Sequence, residues 1–352
     1  MYMLETIIEK LEILEGKNYD LVSLYSGGLD SLLATKMILD MGHKVLGVKI
    51  LMPFNGEVDD REPSFDKVKQ LGKMDLLLWR TDHEFMEIVR NPRFGYGKNM
   101  NPCIDCKIYF MMVAREVMKK VGAKGIITGD VLGERPMSQN MANMQLIEKE
   151  AGVDGKVIRP LTAKNYKESD LEKEGFIDRE KLLDFKGRGR SRQFKLAEKL
   201  GFKDYEQPAG GCLLTDPGYS HRLKESLGYD ESGILDMHLL RFGRHFRLPG
   251  GSKLILGRNK DENSTLKGLF PPNWVKFDGI DIKGPWAGIQ GSASLYDLKL
   301  AAQIWARYSQ GKTIDPLEMR LIYPKNKKQI LITHPLKEGQ EEPYLIVQRK
   351  EA

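Results

Sequence analysis

The sequence predicts an α/β protein whose first domain has a doubly wound parallel sheet and whose second, smaller domain is α+β. Three observations predict this fold. Strand-like runs alternate with helical patterns from residue 19 onward, a glycine turn joins the first strand to its helix, and the pattern becomes strand-rich after Gly228. Alternating strands and helices form parallel sheets because each helix returns the chain to the start of a neighbouring strand. We therefore expect two domains, at residues 1–228 and 229–352.

Hydrophobic periodicity assigns the elements in turn. In the first domain the predicted strands are Tyr19–Tyr25, Lys44–Met52, Asp75–Arg80, Gly125–Thr128 and Val157–Leu161. The predicted helices there are Met1–Lys17, Ser31–Met41, Ser64–Gly72 and Cys106–Val121. In the second domain the predicted strands are Leu239–Leu248, Ser252–Gly257 and Gln329–His334, and the predicted helix is Ser294–Ser309.

Composition narrows the possible function classes. The chain has 352 residues, of which 41% are hydrophobic and 30% are charged, as in typical globular proteins. No stretch approaches the roughly 20 apolar residues of a membrane-spanning helix, and the amphipathic start lacks the apolar centre of a signal peptide. Three cysteines, an odd number, argue against a disulfide framework. We expect a cytoplasmic protein with reduced thiols and no membrane partner.

The most informative motif is a glycine-rich loop between the first predicted strand and its helix. It consists of Ser26, Gly27, Gly28, Leu29, Asp30 and Ser31. Small residues let the backbone point several N–H groups at one anion, and the positive end of the following helix adds to that attraction. No Gly-Lys-Ser/Thr triplet follows, so we expect Mg²⁺ on Asp30 to offset the phosphate charge. The alternative is an ordinary turn with a capping serine.

The cysteines lie in two segments that suit thiol chemistry. Cys103 and Cys106 form a CxxC pair at the start of a predicted helix, and Cys212 follows two glycines. The helix dipole and mutual proximity are expected to lower the pKa of the paired thiols. Three thiolates make a site with one open position, which suits a [4Fe–4S] cluster or Zn²⁺. A structural zinc site completed by a histidine, and a buried core thiol at Cys212, are the alternatives.

The loop Ser26–Ser31 resembles the SGGxDS signature of the PP-loop ATP pyrophosphatase superfamily. The resemblance implies an adenine nucleotide alpha hydrolase-like fold, cleavage of ATP between its α and β phosphates, and adenylation of a substrate. It also implies that adenine lies against the end of the second strand, Val48–Leu51, which includes Lys49 and Ile50.

Further segments are similar to tRNA thiolation enzymes of that superfamily. The run Asn101–Cys106 looks like the NPCxxC segment of tRNA 2-thiouridylases. The segments Thr128–Gly133, Ser138–Asn140 and Arg159–Leu161 are similar to the TGExLGQxxSQ and RPL segments of tRNA 4-thiouridine synthetases, and place Gly129 and Asp130 at the nucleotide. Asp130 replaces the glutamate of that pattern, and Glu134-Arg135-Pro136 interrupts its glutamine-containing stretch.

Together these resemblances imply an ATP-dependent tRNA sulfurtransferase, that is, a thiouridine synthase. A uridine oxygen attacks the α phosphorus of ATP, Asp30 holds Mg²⁺, and sulfur then displaces AMP. Sulfur arrives as a metal-free persulfide on Cys103 or Cys212, or as hydrosulfide on a [4Fe–4S] cluster held by Cys103, Cys106 and Cys212; we favour the cluster. The implied partners are tRNA and a sulfur donor, either a cysteine desulfurase or inorganic sulfide. A homodimer is compatible with the sequence.

Two other functions stay open at this point. A PP-loop synthetase that delivers nitrogen to an adenylate needs no trio of cysteines. A non-catalytic RNA-binding protein would combine a structural zinc site with a degenerate nucleotide loop. Activity that survives Cys212→Ala favours the first, and ATP with tRNA yielding no AMP favours the second.

Two basic segments are expected to contact RNA phosphates, in line with a net charge of +6. One is Lys186–Lys195, and the other comprises Arg241, Arg244, His245, Arg247, Lys253, Arg258 and Lys260. The alternative is a solvated surface. Within Leu254–Asn263, a GRNxxxN element resembles the NFACT-type RNA-binding domain, and an ordinary strand and turn is the alternative.

Overall fold

A computed structural model describes residues 14–54, 68–72, 74–81, 83–203, 205 and 212–347. Most of the predicted helix Met1–Lys17, the start of the predicted helix Ser64–Gly72 and most of the segment Gln207–Leu214 lie outside the described residues. The chain divides into two compact units, Met1–Cys212 and Leu213–Ala352. In the described ranges, no helix is long and apolar enough to cross a membrane.

In its described residues the first unit has five parallel strands: β1 (Leu21–Leu24), β2 (Val45–Leu51), β3 (Asp75–Arg80), β4 (Gly125–Ile127) and β5 (Val157–Ile158). Their spatial order is β3-β2-β1-β4-β5. The chain moves outward from β1 through β2 to β3, and β4 and β5 lie on the other side of β1. The predicted doubly wound parallel fold is confirmed.

The helices Leu29–Asp40 and Cys103–Lys120 of this unit were predicted, whereas those at His83–Arg90 and Met141–Ala151 were not. The described helices of the unit are α1 (Leu29–Asp40), α2 (His83–Arg90), α3 (Cys103–Lys120), α4 (Met141–Ala151), α5 (Asp170–Lys173) and α6 (Ser191–Lys199). Helix α3 begins three residues before the predicted Cys106, because the Cys106 amide donates a helical hydrogen bond to the Pro102 carbonyl at 2.9 Å. Both cysteines of the CxxC pair therefore lie in its first turn.

The core of the first unit holds α1 and β1 in place. Leu21 of β1, Leu32 and Ile38 of α1, and Ile127 of β4 are fully buried members of one hydrophobic cluster. Each such side chain contributes roughly 1.5–3 kcal/mol when it is fully buried. Because β1 lies between β2 and β4, the carboxyl ends of β1 and β4 border the crevice where open α/β sheets bind ligands.

The second unit is built on a six-stranded antiparallel sheet. Its strands are β6 (Arg244–Arg247), β7 (Lys253–Leu256), β8 (Val275–Gly279), β9 (Ala287–Ile289), β10 (Leu317–Ile322) and β11 (Lys328–Thr333), in the spatial order β11-β10-β8-β9-β7-β6. Its helices in the described residues are α7 (Pro217–Leu227), α8 (Ile234–Leu239), α9 (Lys260–Leu269) and α10 (Leu295–Tyr308). Helix α10 carries the fully buried Ile304 and Trp305 into the core of this unit.

Sequence patterns located only part of this second sheet. The predicted strand Leu239–Leu248 is correct only from Arg244, since Leu239 ends α8. Strands β8 and β9 were missed because they are short and contain glycine, which weakens a strand pattern. Strand β10 was also missed, although its alternating burial is the pattern that identifies a half-buried strand.

Helix α7 belongs to the second unit. Tyr219 donates to the Met237 carbonyl at 3.0 Å, and Arg222 Nε donates to the Leu240 carbonyl at 2.8 Å. Arg247 Nε lies 2.5 Å from Glu225 Oε1. The two units thus separate between Cys212 and Leu213, before the boundary expected near Gly228.

Candidate functional site

The loop Ser26–Ser31 is folded around the side chain of Ser31. Its hydroxyl donates to the Gly28 carbonyl at 2.9 Å and accepts from the Ser26 amide at 3.2 Å. Gly27 has a φ of +86°, which glycine adopts without strain. Gly28 is the N-cap of α1 and provides no side-chain cap, so the first helical amides can serve an anion instead.

A second glycine brings the end of β4 against this loop. A Cβ at Gly129 would lie 2.5 Å from the carbonyl carbon of Asp30 and 2.5 Å from the Ser31 amide nitrogen. No side chain fits at that distance. The predicted nucleotide residues Gly129 and Asp130 therefore lie directly beside the predicted phosphate loop, at the switch point of the sheet.

Asp30, in the first turn of α1, shares Arg190 with a second carboxylate, Glu134. Arg190 Nη2 lies 3.3 Å from Asp30 Oδ2 and also pairs with Glu134 Oε1. Burial and the Glu134 charge raise the pKa of Asp30 to about 6, although Arg190 and Arg135 oppose the shift. Asp30 Oδ1 and Glu134 Oε2 are buried without a hydrogen-bond partner in the described part of the chain. Orphaned buried carboxylate oxygens suit a bound cation.

Asp130 is held as a carboxylate by a different set of partners. Lys107 Nζ lies 2.6 Å from Asp130 Oδ1, and Gln139 Nε2 donates to the same oxygen at 2.9 Å. Burial alone would raise the pKa of Asp130, but the charges of Lys107 and Arg159 and these hydrogen bonds hold it well below its usual value. Because Lys107 follows Cys106, this pair connects the cysteine helix to the Gly129–Asp130 segment.

The three cysteines interact within the first unit. Burial raises the pKa of the Cys106 thiol well above its usual value, and the charges of Cys212, Cys103 and Asp105 raise it further. For Cys106, the expected lowering of thiol pKa is therefore wrong, because desolvation and like charges outweigh Lys107 and the helix dipole. In the described ranges, no three His, Cys, Asp or Glu side chains are grouped to hold a metal ion.

Asp105, between the two paired cysteines, fixes the chain that precedes α3. Its carboxylate accepts the Arg93 amide at 3.0 Å and the Phe94 amide at 3.1 Å. A cavity of about 350 Å³ opens beside it, lined by residues that include Glu84, Glu87 and Tyr109. That cavity does not include the Ser26–Ser31 loop.

Lys49 and Ile50 lie on β2, beside the strand that carries the loop. The Tyr25 amide, just before the loop, donates to the Val48 carbonyl at 3.0 Å. Lys49 is buried and Ile50 is half-buried. Their predicted contact with adenine stays a prediction.

Sequence reasoning missed four side chains of this site: Lys107, Glu134, Gln139 and Arg190. Arg190 was assigned to RNA as part of the segment Lys186–Lys195, yet it points at Asp30 and Glu134. Glu134 was noted only as an interruption of a motif. The sequence shows Glu134 as an acidic residue between two glycine-rich segments. Such a pattern does not reveal which basic side chain pairs with it.

Several basic residues of the second unit are internal, contrary to the expected contact with RNA phosphates. Arg247 Nη1 lies 2.8 Å from Glu231 Oε1, and Lys253 Nζ lies 2.6 Å from Glu231 Oε2. Lys253 and His245 are only 3% and 1% exposed. Arg247 and Lys253 hold α7 and the loop after it against β6 and β7, so these two cations are not free for RNA.

The GRNxxxN element proves to have a structural role in this unit. Asn259 caps α9 by accepting the Glu262 amide at 2.9 Å, and Asn263 accepts the Trp286 amide at 2.9 Å. A Cβ at Gly257 would collide with the Asn263 side chain.

Comparison with known proteins matches a different family model to each of the two units. Residues 16–169 match the family model for thiamine biosynthesis protein (ThiI), and residues 243–345 match that for the NFACT protein RNA binding domain. A "Probable tRNA sulfurtransferase" of Methanosarcina acetivorans is 38% identical over 135 residues, which is 37% of this chain and 31% of that protein. Its namesake in Thermococcus kodakarensis is 28% identical over 175 residues, 46% of this chain and 40% of that protein.

The chain thus spans about a third of the length of these relatives. A solved structure of the C-terminal part of the fibronectin/fibrinogen-binding protein from Streptococcus suis aligns with 45% of this chain and 79% of its own. Its identity is 16% and its TM-score is 0.28, which is too low to inform the fold. Residues 16–169 are therefore similar to the thiamine biosynthesis protein (ThiI) family, and residues 243–345 are similar to the NFACT RNA-binding family.

Proposed function

We propose that this chain is an ATP-dependent tRNA sulfurtransferase that adenylates a uridine oxygen and replaces it with sulfur from its three cysteines. A continuous set of contacts in the first unit supports this most directly. Gly129 packs against the phosphate loop, the adjacent Asp130 pairs with Lys107, and Lys107 follows Cys106. These contacts therefore connect the predicted nucleotide loop to α3, the helix that carries Cys103 and Cys106.

In this proposal the loop Ser26–Ser31 and the start of α1 hold the triphosphate of ATP. The orphaned, buried Asp30 Oδ1 fits a role as ligand of Mg²⁺, which offsets phosphate charge when it is bound. Adenine lies against β2 near Lys49 and Ile50. The uridine oxygen attacks the α phosphorus, pyrophosphate leaves, and the uridine carbon becomes susceptible to a sulfur nucleophile.

The sulfur step requires two thiols. The terminal sulfur of a persulfide on Cys103 or Cys212 attacks the adenylated carbon, and the bond to the AMP oxygen breaks. A second thiolate then attacks the inner persulfide sulfur, which releases the thiouridine and leaves a disulfide. A dithiol reductant restores both thiols by supplying two electrons. Cys106 is poorly suited to attack, because its raised pKa disfavours the thiolate.

The expected [4Fe–4S] cluster, or Zn²⁺, on Cys103, Cys106 and Cys212 is a separate proposal. The cysteines influence one another, but in the described residues they do not form a ready three-ligand group, so no step above depends on a metal. Iron, sulfide and zinc analysis of protein purified without oxygen tests it. About four irons per chain would establish the cluster, and about one zinc would establish the alternative.

The second unit supports tRNA as the substrate, because it contains the NFACT-type domain. Exposed cations such as Arg188, Lys195 and Lys260 are available for phosphates. The sulfur donor for the persulfide is a cysteine desulfurase, whereas inorganic sulfide would be the donor only in the separate cluster proposal, and the reaction takes place in the cytoplasm. Homodimerisation is part of the same proposal and is measurable by light scattering.

The decisive experiment combines ATP, unmodified tRNA and a cysteine desulfurase with cysteine. Wild-type protein should yield AMP, pyrophosphate and a thionucleoside seen by mass spectrometry. Cys212→Ser should remove the thionucleoside but retain AMP formation, Asp30→Ala should remove both, and Lys119→Met on the exposed side of α3 is the control. Thionucleoside at wild-type levels from Cys212→Ser would overturn the sulfur role, and no AMP from wild type would favour a non-catalytic RNA-binding protein.

A further inference from the structure

Two segments that are distant in sequence from Asp30 bring a side chain against it. Asp30 lies at the start of α1, Glu134 in the loop after β4, and Arg190 at the N-cap of α6. Arg190 Nη2 pairs with Glu134 Oε1 and lies 3.3 Å from Asp30 Oδ2. The Glu134 side chain is only 6% exposed, whereas those of Asp30 and Arg190 are 18% and 19% exposed. A guanidinium therefore bridges two largely buried carboxylates.

The bridge leaves polar atoms unsatisfied. Asp30 Oδ1 and Glu134 Oε2 have no hydrogen-bond donor in the described residues, although each is buried. The two carboxyl groups lie within hydrogen-bonding reach of each other, and that contact helps to raise the pKa of Asp30. One guanidinium offsets one of the two negative charges, and the other nearby cation, Arg135, is exposed to solvent. A buried carboxylate oxygen without a donor is costly, and a cation bound between these carboxyl groups would satisfy both oxygens.

An independent observation comes from Gln193, one turn after Arg190 on α6. Its side chain is buried to 1% exposure, yet neither its oxygen nor its nitrogen has a hydrogen-bond partner in the parts of the chain described. Gln193 lies three residues after Arg190, on the helix whose N-cap is Arg190. The element that positions Arg190 therefore carries a second buried polar side chain without a partner in the described residues.

We infer that Asp30 and Glu134 together form a divalent-cation site that Arg190 occupies while the cation is absent. Mg²⁺ and Mn²⁺ are held by one or two carboxylates together with substrate phosphates, and these carboxylates lie beside the phosphate loop. A divalent ion takes over both carboxylates and releases the guanidinium, which is itself a good bidentate ligand for phosphate. Glu134 is thus a cation ligand, and Arg190 is a positioning residue that links cation binding to nucleotide binding.

The inference uses the proposed function only for the identity of the nucleotide, and its test needs neither ATP nor tRNA. Mn²⁺ is titrated into metal-free protein and free Mn²⁺ is measured by electron paramagnetic resonance. Arg190→Met removes the competing cation, so it should tighten Mn²⁺ binding by about tenfold. Glu134→Gln should abolish binding, both alone and combined with Arg190→Met.

Matched controls distinguish replacement of Arg190 by a divalent cation from the loss of an ordinary structural ion pair. Arg192→Met lies on the same helix and removes the exposed Arg192–Asp184 pair, so Mn²⁺ binding should not change. Circular dichroism confirms that each variant is folded. Unchanged or weaker Mn²⁺ binding by folded Arg190→Met, or wild-type binding by Glu134→Gln, would overturn the inference. Neither result bears on thiolation, which the Cys212→Ser assay tests separately.

Discussion

At the scale of single residues, the contact between Gly129 and the loop backbone sets the tightest limit on substitution. A methyl group there would lie 2.5 Å from backbone atoms of Asp30 and Ser31, which cannot move without moving α1. Overpacking of this kind costs about 1–3 kcal/mol. The size of one side chain thus controls the loop that is proposed to hold phosphate.

We predict that Gly129→Ala lowers the affinity for ATP by about 10- to 100-fold, measured by isothermal titration calorimetry, because the loop amides are displaced. The matched control is Gly268→Ala on α9, where a Cβ meets nothing within 4 Å. Gly268→Ala should leave ATP binding unchanged and raise stability by up to about 1 kcal/mol. Equal ATP affinity in Gly129→Ala and wild type would contradict the close contact.

Asp30 should make the stability of the first unit depend on pH. Its pKa in the folded protein is about 6, above the usual 3.8. Its contribution to stability is therefore fully present below about pH 4 and is lost as pH rises through 6. A shift of about two units corresponds to roughly 2–3 kcal/mol. An ionised Asp30 thus destabilises the metal-free fold at neutral pH.

Asp30→Asn, which mimics the neutral acid, should accordingly be more stable than wild type at pH 7.5, and the difference should shrink towards pH 4.5. Hydrogen exchange of the β1 amides in the presence of EDTA measures the effect within the first unit. Asp40→Asn, at the exposed end of the same helix, controls for loss of a surface charge. A stability difference that does not vary with pH would exclude titration of Asp30 as its cause.

At the scale of elements, the Lys107–Asp130 pair joins α3 to the segment after β4. Asp130 is 7% exposed and Lys107 is 26% exposed, so the pair is only partly screened by water. It lies one residue from Cys106 and one residue from Gly129. A shift of α3 therefore changes both the thiols and the loop.

Lys107→Met should destabilise the first unit by roughly 2–4 kcal/mol, since it leaves a buried carboxylate without its main cation. Lys107→Arg should restore part of the loss. Lys119→Met on the same helix removes a pair whose lysine is 58% exposed, and should cost about 0–1 kcal/mol. Thermal unfolding and ATP titration of the three variants test this. A similar loss of stability in Lys107→Met and Lys119→Met would show that the Lys107–Asp130 pair does not stabilise the position of α3.

At the scale of the whole molecule, the division into two units predicts which fragments fold. Helix α7 supplies Tyr219, Arg222 and Glu225 to hydrogen bonds and an ion pair of the second unit. The core of that unit is formed by its own sheet and α10. A fragment that starts at residue 213 keeps all of these contacts, whereas one that starts at 229 loses them.

Residues 213–352 should therefore fold cooperatively when expressed alone, and residues 229–352 should be markedly less stable because Arg247 and Lys253 lose Glu225. Dispersed amide resonances and a sharp thermal transition by circular dichroism measure the difference. Equal stability of the two fragments would support a boundary near Gly228 instead of one between residues 212 and 213.

Local patterns were sufficient for much of the fold and part of the site. The five parallel strands, the phosphate loop and the CxxC pair could be read because strand and helix periods, glycine turns and short motifs depend on neighbouring residues. The resemblance to tRNA thiolation enzymes also rests on such short segments, and the similarity to proteins described as probable tRNA sulfurtransferases agrees with it.

Only the tertiary structure decided which distant side chains meet. It turned Arg190 inward to two carboxylates, paired Lys107 with Asp130, and raised the pKa of Cys106 by burial and neighbouring thiols. It also separated the units before α7. These features depend on desolvation and on charges brought together across the chain, so no local pattern encodes them. The sequence by itself determined the order along the chain of the strands in the parallel sheet and the chemistry available, and packing determined how that chemistry is arranged.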